Sequence, residues 1–133
     1  MIVVDTNIIA YLYITGDRTP QAELLLSSSP HWNAPMLWRS EFRNVLGLYL
    51  RNKILQLDDT LLILQQAEEL LHGNEYQVPS ARIMQLVSTS TCSAYDCEFV
   101  ALAEYLDIPL VTADKKILRE FPERARSLDI FLS

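Results

Sequence analysis

Four acidic residues, Asp5, Glu41, Asp96 and Asp114, stand where acids are out of place. Two of them follow short apolar runs. Met1-Ile2-Val3-Val4 leads directly into Asp5, and Ile108-Pro109-Leu110-Val111-Thr112 leads, one residue later, into Asp114. Short runs rich in β-branched residues are the pattern of strands buried on both faces. A carboxylate at the carboxyl end of a parallel strand lies where open α/β sheets bind their ligands. The other two acids sit within apolar stripes of helical period. Glu41 is spaced with Leu37, Trp38, Val45 and Leu48, and Asp96 with Phe99, Val100 and Ala103. Their carboxylates therefore point with core-facing side chains, and Glu is almost never fully buried unless it is paired.

Acids gathered in one crevice cannot all remain charged and unaccompanied. Two like charges about 4 Å apart repel by roughly 4 kcal/mol at an effective dielectric near 20. Such a group takes up protons, spreads apart, or is bridged by cations. Oxygen-only ligands suit Mg²⁺ or Mn²⁺ rather than zinc. Each acid also has an ordinary structural role open to it. Asp5 and Asp114 can cap the helices that follow them. Glu41 can pair with Arg39, Arg43 or Arg51, and Ser93-Ala94-Tyr95-Asp96 fits a capping box. The Thr112 hydroxyl, two residues before Asp114, serves the same region.

The elements that must position these residues alternate strand-like runs with helix-like stretches, the pattern of a βαβ sheet. A first strand ending at Val4 is followed by a helix from Asn7 to about Tyr13. Pro20 opens a second helix reaching about Leu26. His31 to Ala34 is a weak strand stopped by Pro35, and a long helix spans about Met36 to Asn52. Asp58 or Asp59 caps a helix running to about Leu71, where His72-Gly73-Asn74 ends it. Tyr76 to Val78 is a third strand, and Ser80 caps a helix to about Val87. A helix spans Ala94 to Leu106, a strand Ile108 to Thr112, a helix runs from Asp114 to about Phe121, and Leu128 to Leu132 makes a last strand. The expected fold is a three-layer α/β/α sandwich with a mainly parallel five-stranded sheet and right-handed crossovers.

The composition narrows the function classes. The 133 residues are expected to form a single domain, 1–133, large enough to bury a core unaided. The longest apolar run, Ile8 to Ile14, is seven residues, well short of the roughly 20 a membrane span requires. No signal-peptide pattern is evident, and a cytoplasmic location is expected. Cys92 and Cys97 do not match C-x-x-C spacing, and His31 and His72 have no companion ligands, so all four read as buried or half-buried bystanders. A formal net charge of -6 argues against broad electrostatic attraction to nucleic acid. It leaves open a local site where bound cations invert the field.

Four segments resemble, in order, the acidic motifs of PIN-domain ribonucleases. They are Val3-Val4-Asp5-Thr6-Asn7, Pro35-Met36-Leu37-Trp38-Arg39-Ser40-Glu41, Tyr95-Asp96-Cys97-Glu98-Phe99-Val100-Ala101-Leu102-Ala103, and Pro109-Leu110-Val111-Thr112-Ala113-Asp114. The likeness covers nearly the whole chain, and the single-domain size is similar to VapC-type toxins. Each motif alone is short; the specificity lies in the order and spacing of all four. The resemblance implies a metal-dependent RNA endonuclease in which Asp5, Glu41, Asp96 and Asp114 hold Mg²⁺ or Mn²⁺, with Thr112 and Asn7 in support. It also implies a cognate antitoxin laid across the site or its rim, and a homodimer. Cys97 departs from the small residue common after the third acid, on another face of the helix. Glu98 lies outside the pattern as a nearby or surface acid.

Arg39, Arg43, Lys115, Lys116 and Arg119 flank the acids and are either phosphate contacts or solvated surface. Trp32, Trp38 and Leu61-Leu62-Ile63-Leu64 are either partner-binding surface or core. Two rival readings remain: a binding module whose acids are caps and surface charges, and another metal-dependent hydrolase such as a phosphatase. Asp5-Thr6-Asn7 lacks the second acid, two residues on, that an aspartyl-phosphate mechanism uses.

Overall fold

The computed structural model describes all 133 residues. Its strands are β1 (Ile2–Val4), β2 (Trp32–Pro35), β3 (Glu75–Tyr76), β4 (Leu110–Val111) and β5 (Ala125–Arg126). They form one sheet in the order β3-β2-β1-β4-β5, with every pairing parallel. The helices are α1 (Thr6–Tyr13), α2 (Thr19–Ser28), α3 (Leu37–Arg51), α4 (Leu57–Leu70), α5 (Ser80–Ser88), α6 (Ala94–Leu106), α7 (Lys115–Glu120) and α8 (Leu128–Leu132).

The chain winds outward from β1 through β2 to β3, then crosses back to place β4 on the other side of β1. With right-handed crossovers this reversal puts helices on opposite faces of the sheet. Accordingly α1 packs with α2, α3 and α4, while α6 packs with α5 and against β1, β2 and β4. The reversal makes the carboxyl ends of β1 and β4 the switch point of the sheet, the usual ligand position in such folds.

Burial follows the apolar pattern. Ile2, Val3, Val4, Leu110 and Val111 are buried, and α6 buries Cys97, Phe99, Val100, Ala101, Leu102 and Ala103 between sheet and α5. On α3 the buried stripe is Trp38, Phe42 and Leu46, whereas Leu48 is half exposed. Glu41 therefore sits at the edge of that stripe.

Several elements differ from expectation. Leu128–Leu132 is a helix, and the fifth strand is Ala125–Arg126 just before it. The Ser127 side chain accepts from the Ile130 amide, and Ile130 is 63% exposed. A local cap thus decides an apolar run too short for periodicity to classify. Helix α4 begins earlier, capped by Gln56 with Asp59 reciprocating at its third position. Pro79, not Ser80, precedes α5, and β3 is Glu75–Tyr76. Pro35 closes β2 rather than lying outside it, opposite Tyr76, where the next amide, Met36, donates to the Tyr76 carbonyl. Trp32 and Trp38 are fully buried and belong to the core, not to a surface. His31 and His72 are exposed rather than buried.

Candidate functional site

The parallel register carries β1 and β4 side by side, Val4 opposite Val111, and the Asp5 amide donates to the Val111 carbonyl at 3.0 Å. This brings Asp5 beside Thr112. The Thr112 hydroxyl donates to Asp5 Oδ2 at 2.7 Å and accepts from the Asp114 amide at 3.0 Å. One buried hydroxyl therefore spaces the two strand-end acids. Asn7 bridges the same gap, its Oδ1 accepting from the Ala113 amide at 3.2 Å and its Nδ2 lying 3.4 Å from Asp5 Oδ2. Both acids also cap helices. Asp5 Oδ1 accepts from the Thr6 amide at 2.8 Å, and Asp114 Oδ1 accepts from the amides of Lys116 and Ile117 at 2.8 and 3.2 Å.

Glu41 comes to this group from α3. The Thr6 hydroxyl, next to Asp5, donates to Glu41 Oε1 at 2.7 Å. No arginine pairs with Glu41. Arg39 turns the other way and donates through Nε and Nη2 to Glu75 at 2.6 and 2.8 Å, with Glu68 3.2 Å from Nη1. Trp38 Nε1 adds a third hydrogen bond to Glu75 at 2.7 Å. Arg39 is consequently engaged in holding α3 to β3 and α4 and does not make the pairing that stood as the alternative role for Glu41. Thr6 was missed in the sequence because a threonine in a first helical turn has no periodicity of its own. The available signal was a hydroxyl beside a strand-end acid.

Asp96 enters from the first turn of α6, where its amide donates to Ser93 Oγ at 3.1 Å. Burial raises the carboxyl of Asp96, and the negative charge of Asp114 raises it further. Burial likewise raises Glu41, with Asp96 adding to the effect. Asp5 is pushed up to about 6, chiefly by burial, against the lowering hydrogen bonds of Thr112 and Thr6; the charges of Glu41 and Asp96 push the same way as burial. Glu98 is raised by burial and by Glu41. Each of these acids thus feels another.

The group is linked in pairs through hydroxyls rather than knotted at one point, and no three acids, histidines or cysteines are packed closely enough to ligate an ion as they stand. The donor chemistry nevertheless fits a hard divalent cation: carboxylate oxygens, desolvated and repelling one another. The neighbouring Cys92 thiol is raised to about 11 by burial, so it stays protonated at neutral pH and offers no thiolate.

The chain is similar to several known proteins. A family model described as PIN domain matches residues 2–123, a span that includes all four acids. Ribonuclease VapC3 of Pyrobaculum aerophilum is 29% identical over 124 residues, covering 91% of this chain and 95% of that protein. Among solved structures, PAE2754 from Pyrobaculum aerophilum superposes with a TM-score of 0.72 at 16% identity, covering 98% of this chain and 92% of that one. A toxin-antitoxin complex from Klebsiella pneumoniae gives a TM-score of 0.69 at 17% identity, covering 96% and 98% of the two chains. FitAcB from Neisseria gonorrhoeae gives 0.65 at 20% identity, covering 87% and 89%. With a match running from β1 past α7, the chain belongs to the PIN-domain family.

Proposed function

We propose that this protein is a divalent-metal-dependent RNA endonuclease and the toxin of a toxin–antitoxin pair. The observation that carries the reading is the gathering of Asp5, Glu41 and Asp114 beyond the ends of β1 and β4 through the hydroxyls of Thr6 and Thr112, with the charge of Asp96 felt by Asp5 and Glu41. Its support from kinship is the ribonuclease name of the Pyrobaculum relative and the toxin–antitoxin assembly of the Klebsiella neighbour.

In this reading the four carboxylates would hold Mg²⁺ or Mn²⁺, and the bound ion would supply an acidified water and positive charge toward the phosphate. The chain's own part is to fix the acids. Thr112 and Thr6 each hold one carboxylate oxygen, of Asp5 and Glu41, which limits how those acids rotate. Asn7 ties the start of α1 to the segment carrying Asp114. Asp114 keeps Oδ1 on the α7 amides, and its Oδ2 takes no part in that cap. Hydroxyls of this kind matter because outer partners orient the groups that bind metal.

A cognate antitoxin, a homodimer and a cytoplasmic location complete the proposal. No helix is long and apolar enough to cross a membrane. Leu61 and Leu62 on α4 are each 55% exposed and supply apolar surface for a protein partner. One observation favours the binding-module reading: Asp5 and Asp114 do cap helices. The deciding experiment is RNA cleavage in Mg²⁺, in Mn²⁺ and in EDTA, with Asp5→Asn and Asp96→Asn as controls. Cleavage that needs the ion and both acids supports the enzyme. Absence of cleavage in either metal, or cleavage indifferent to chelation and to both substitutions, overturns it.

A further inference from the structure

Five bases flank the acids in sequence, and the structure separates them. Arg39 is committed to Glu75 and Glu68. Arg43, Lys115 and Arg119 are exposed on their helices. Lys116 is exposed as well, but its side chain is engaged. Its amide caps onto Asp114, while its Nζ reaches across to donate to the Thr91 carbonyl at 3.4 Å, in the loop that leads into α6. That loop is fastened to α7 by Glu120, one turn after Lys116, whose carboxylate accepts from the Thr91 amide at 3.0 and 3.1 Å and from the Thr91 hydroxyl. The ammonium is thereby poised between the elements that carry the third and fourth acids, and its charge reaches Asp96.

We propose that Lys116 is the phosphate-binding residue of this site, its ammonium exchanging the Thr91 carbonyl for a non-bridging oxygen of the RNA backbone beside Asp96 and Asp114. The inference rests on the reading of the site as an RNA-cleaving one. A chain of net charge -6 repels a polyanion beyond the reach of the bound cation, so a cation on the rim helps to hold the strand against that field. An ammonium is a mobile point charge with three donors. Only one donor is used here, in a long bond to a neutral carbonyl, and a charge-assisted bond to phosphate is the stronger of the two. The Thr91–Glu120 latch keeps the loop in place when the lysine departs.

The test is equilibrium binding of a labelled single-stranded RNA oligonucleotide in Ca²⁺ across a KCl series, together with kcat and KM for cleavage in Mn²⁺. The proteins are wild type, Lys116→Gln, Lys116→Arg and Lys115→Gln. Lys116→Gln is expected to weaken binding roughly 5- to 20-fold and to flatten the slope of log affinity against log salt by about 0.7, the loss of one single-strand phosphate contact. KM should rise with it while kcat changes less; Lys116→Arg should restore most of the binding, and Lys115→Gln should change little. An unchanged salt slope in Lys116→Gln overturns the proposal, as does an equal loss in Lys115→Gln, which would indicate general field alone. Tighter Mn²⁺ binding with RNA affinity untouched also overturns it, and would make Lys116 an internal counter-ion of Asp96. Because binding is read apart from cleavage, RNA binding without cleavage by wild type sinks the enzyme reading and leaves this test standing. Wild type that neither binds nor cleaves RNA sinks both.

Discussion

Replacing Asp5 with Asn in the metal-free protein removes a buried charge whose cost can be sized. Asp5 is 7% exposed, and its carboxyl stands at about 6 against an ordinary 3.8, mainly through burial. Between those two values the folded chain keeps a proton that the unfolded chain has lost. Stability therefore falls as pH rises through the window from 3.8 to about 6, and the penalty is fully present above it. At about 1.4 kcal/mol per pH unit, that window corresponds to about 3 kcal/mol.

An amide at position 5 carries no such penalty, but it turns an N–H toward Asn7 Nδ2 and the Thr112 hydroxyl, where Asp5 Oδ2 now accepts. Losing that acceptor costs about 1 kcal/mol. The net expectation is a gain of about 2 kcal/mol for Asp5→Asn at pH 8, and a loss of about 1 kcal/mol at pH 4, where the wild-type acid is already protonated. Urea unfolding in EDTA at intervals from pH 4 to 8 reads both values, and added Mg²⁺ should stabilise wild type at pH 8 but not the variant. If Asp5→Asn is no more stable than wild type at pH 8, or differs from it by the same amount at every pH, the reasoning about burial is refuted.

Thr6→Val keeps the shape of the side chain but frees Glu41; cleavage should fall about 10- to 100-fold with the melting temperature little changed, and Thr6→Ser should recover most of it. Arg39→Ala should cost about 1–2 kcal/mol in urea unfolding by releasing Glu75, yet leave cleavage rates per folded molecule unaltered. A drop in kcat for Arg39→Ala would instead return that residue to the site. The two buried tryptophans should part company under Trp→Phe substitution. Trp32 Nε1 has no hydrogen-bond partner, whereas Trp38 Nε1 donates to Glu75 at 2.7 Å. Trp38→Phe is therefore expected to be the more destabilising by about 2 kcal/mol, and equal losses in calorimetry would contradict that assignment.

Long-range order was the legible part of this chain. Val3-Val4-Asp5 and Leu110-Val111-Thr112 announced themselves as buried parallel strands, because strands covered on both faces leave little choice of residue. Helix α6 was readable to the residue, since Ser93 caps it and an apolar stripe follows. Where a few residues decide an element, the sequence was mute. Ala125–Arg126 has no β-branched side chain and pairs with β4 only because the chain returns there. Leu128–Leu132 looked like a strand until the Ser127 cap and its neighbour α2 were in place.

The acids divided the same way. Their positions could be read from misplaced charge, but their supports could not. Thr6 reaches Glu41 across 35 residues of chain, and Thr112 reaches Asp5 across 107. The diversion of Arg39 to Glu75 is a contact between α3 and β3 that no local pattern encodes.

The central claim is that positions 5, 41, 96 and 114 share one cation site. Titration of Mn²⁺ into wild type and into Asp5→Asn, Glu41→Gln, Asp96→Asn and Asp114→Asn, followed by the paramagnetic resonance of the free ion, tests it most directly. The expected result is saturable binding by wild type and a loss of about tenfold or more in affinity for every variant. Wild type that takes up no Mn²⁺, or any of the four variants binding it as tightly as wild type, would contradict the shared site.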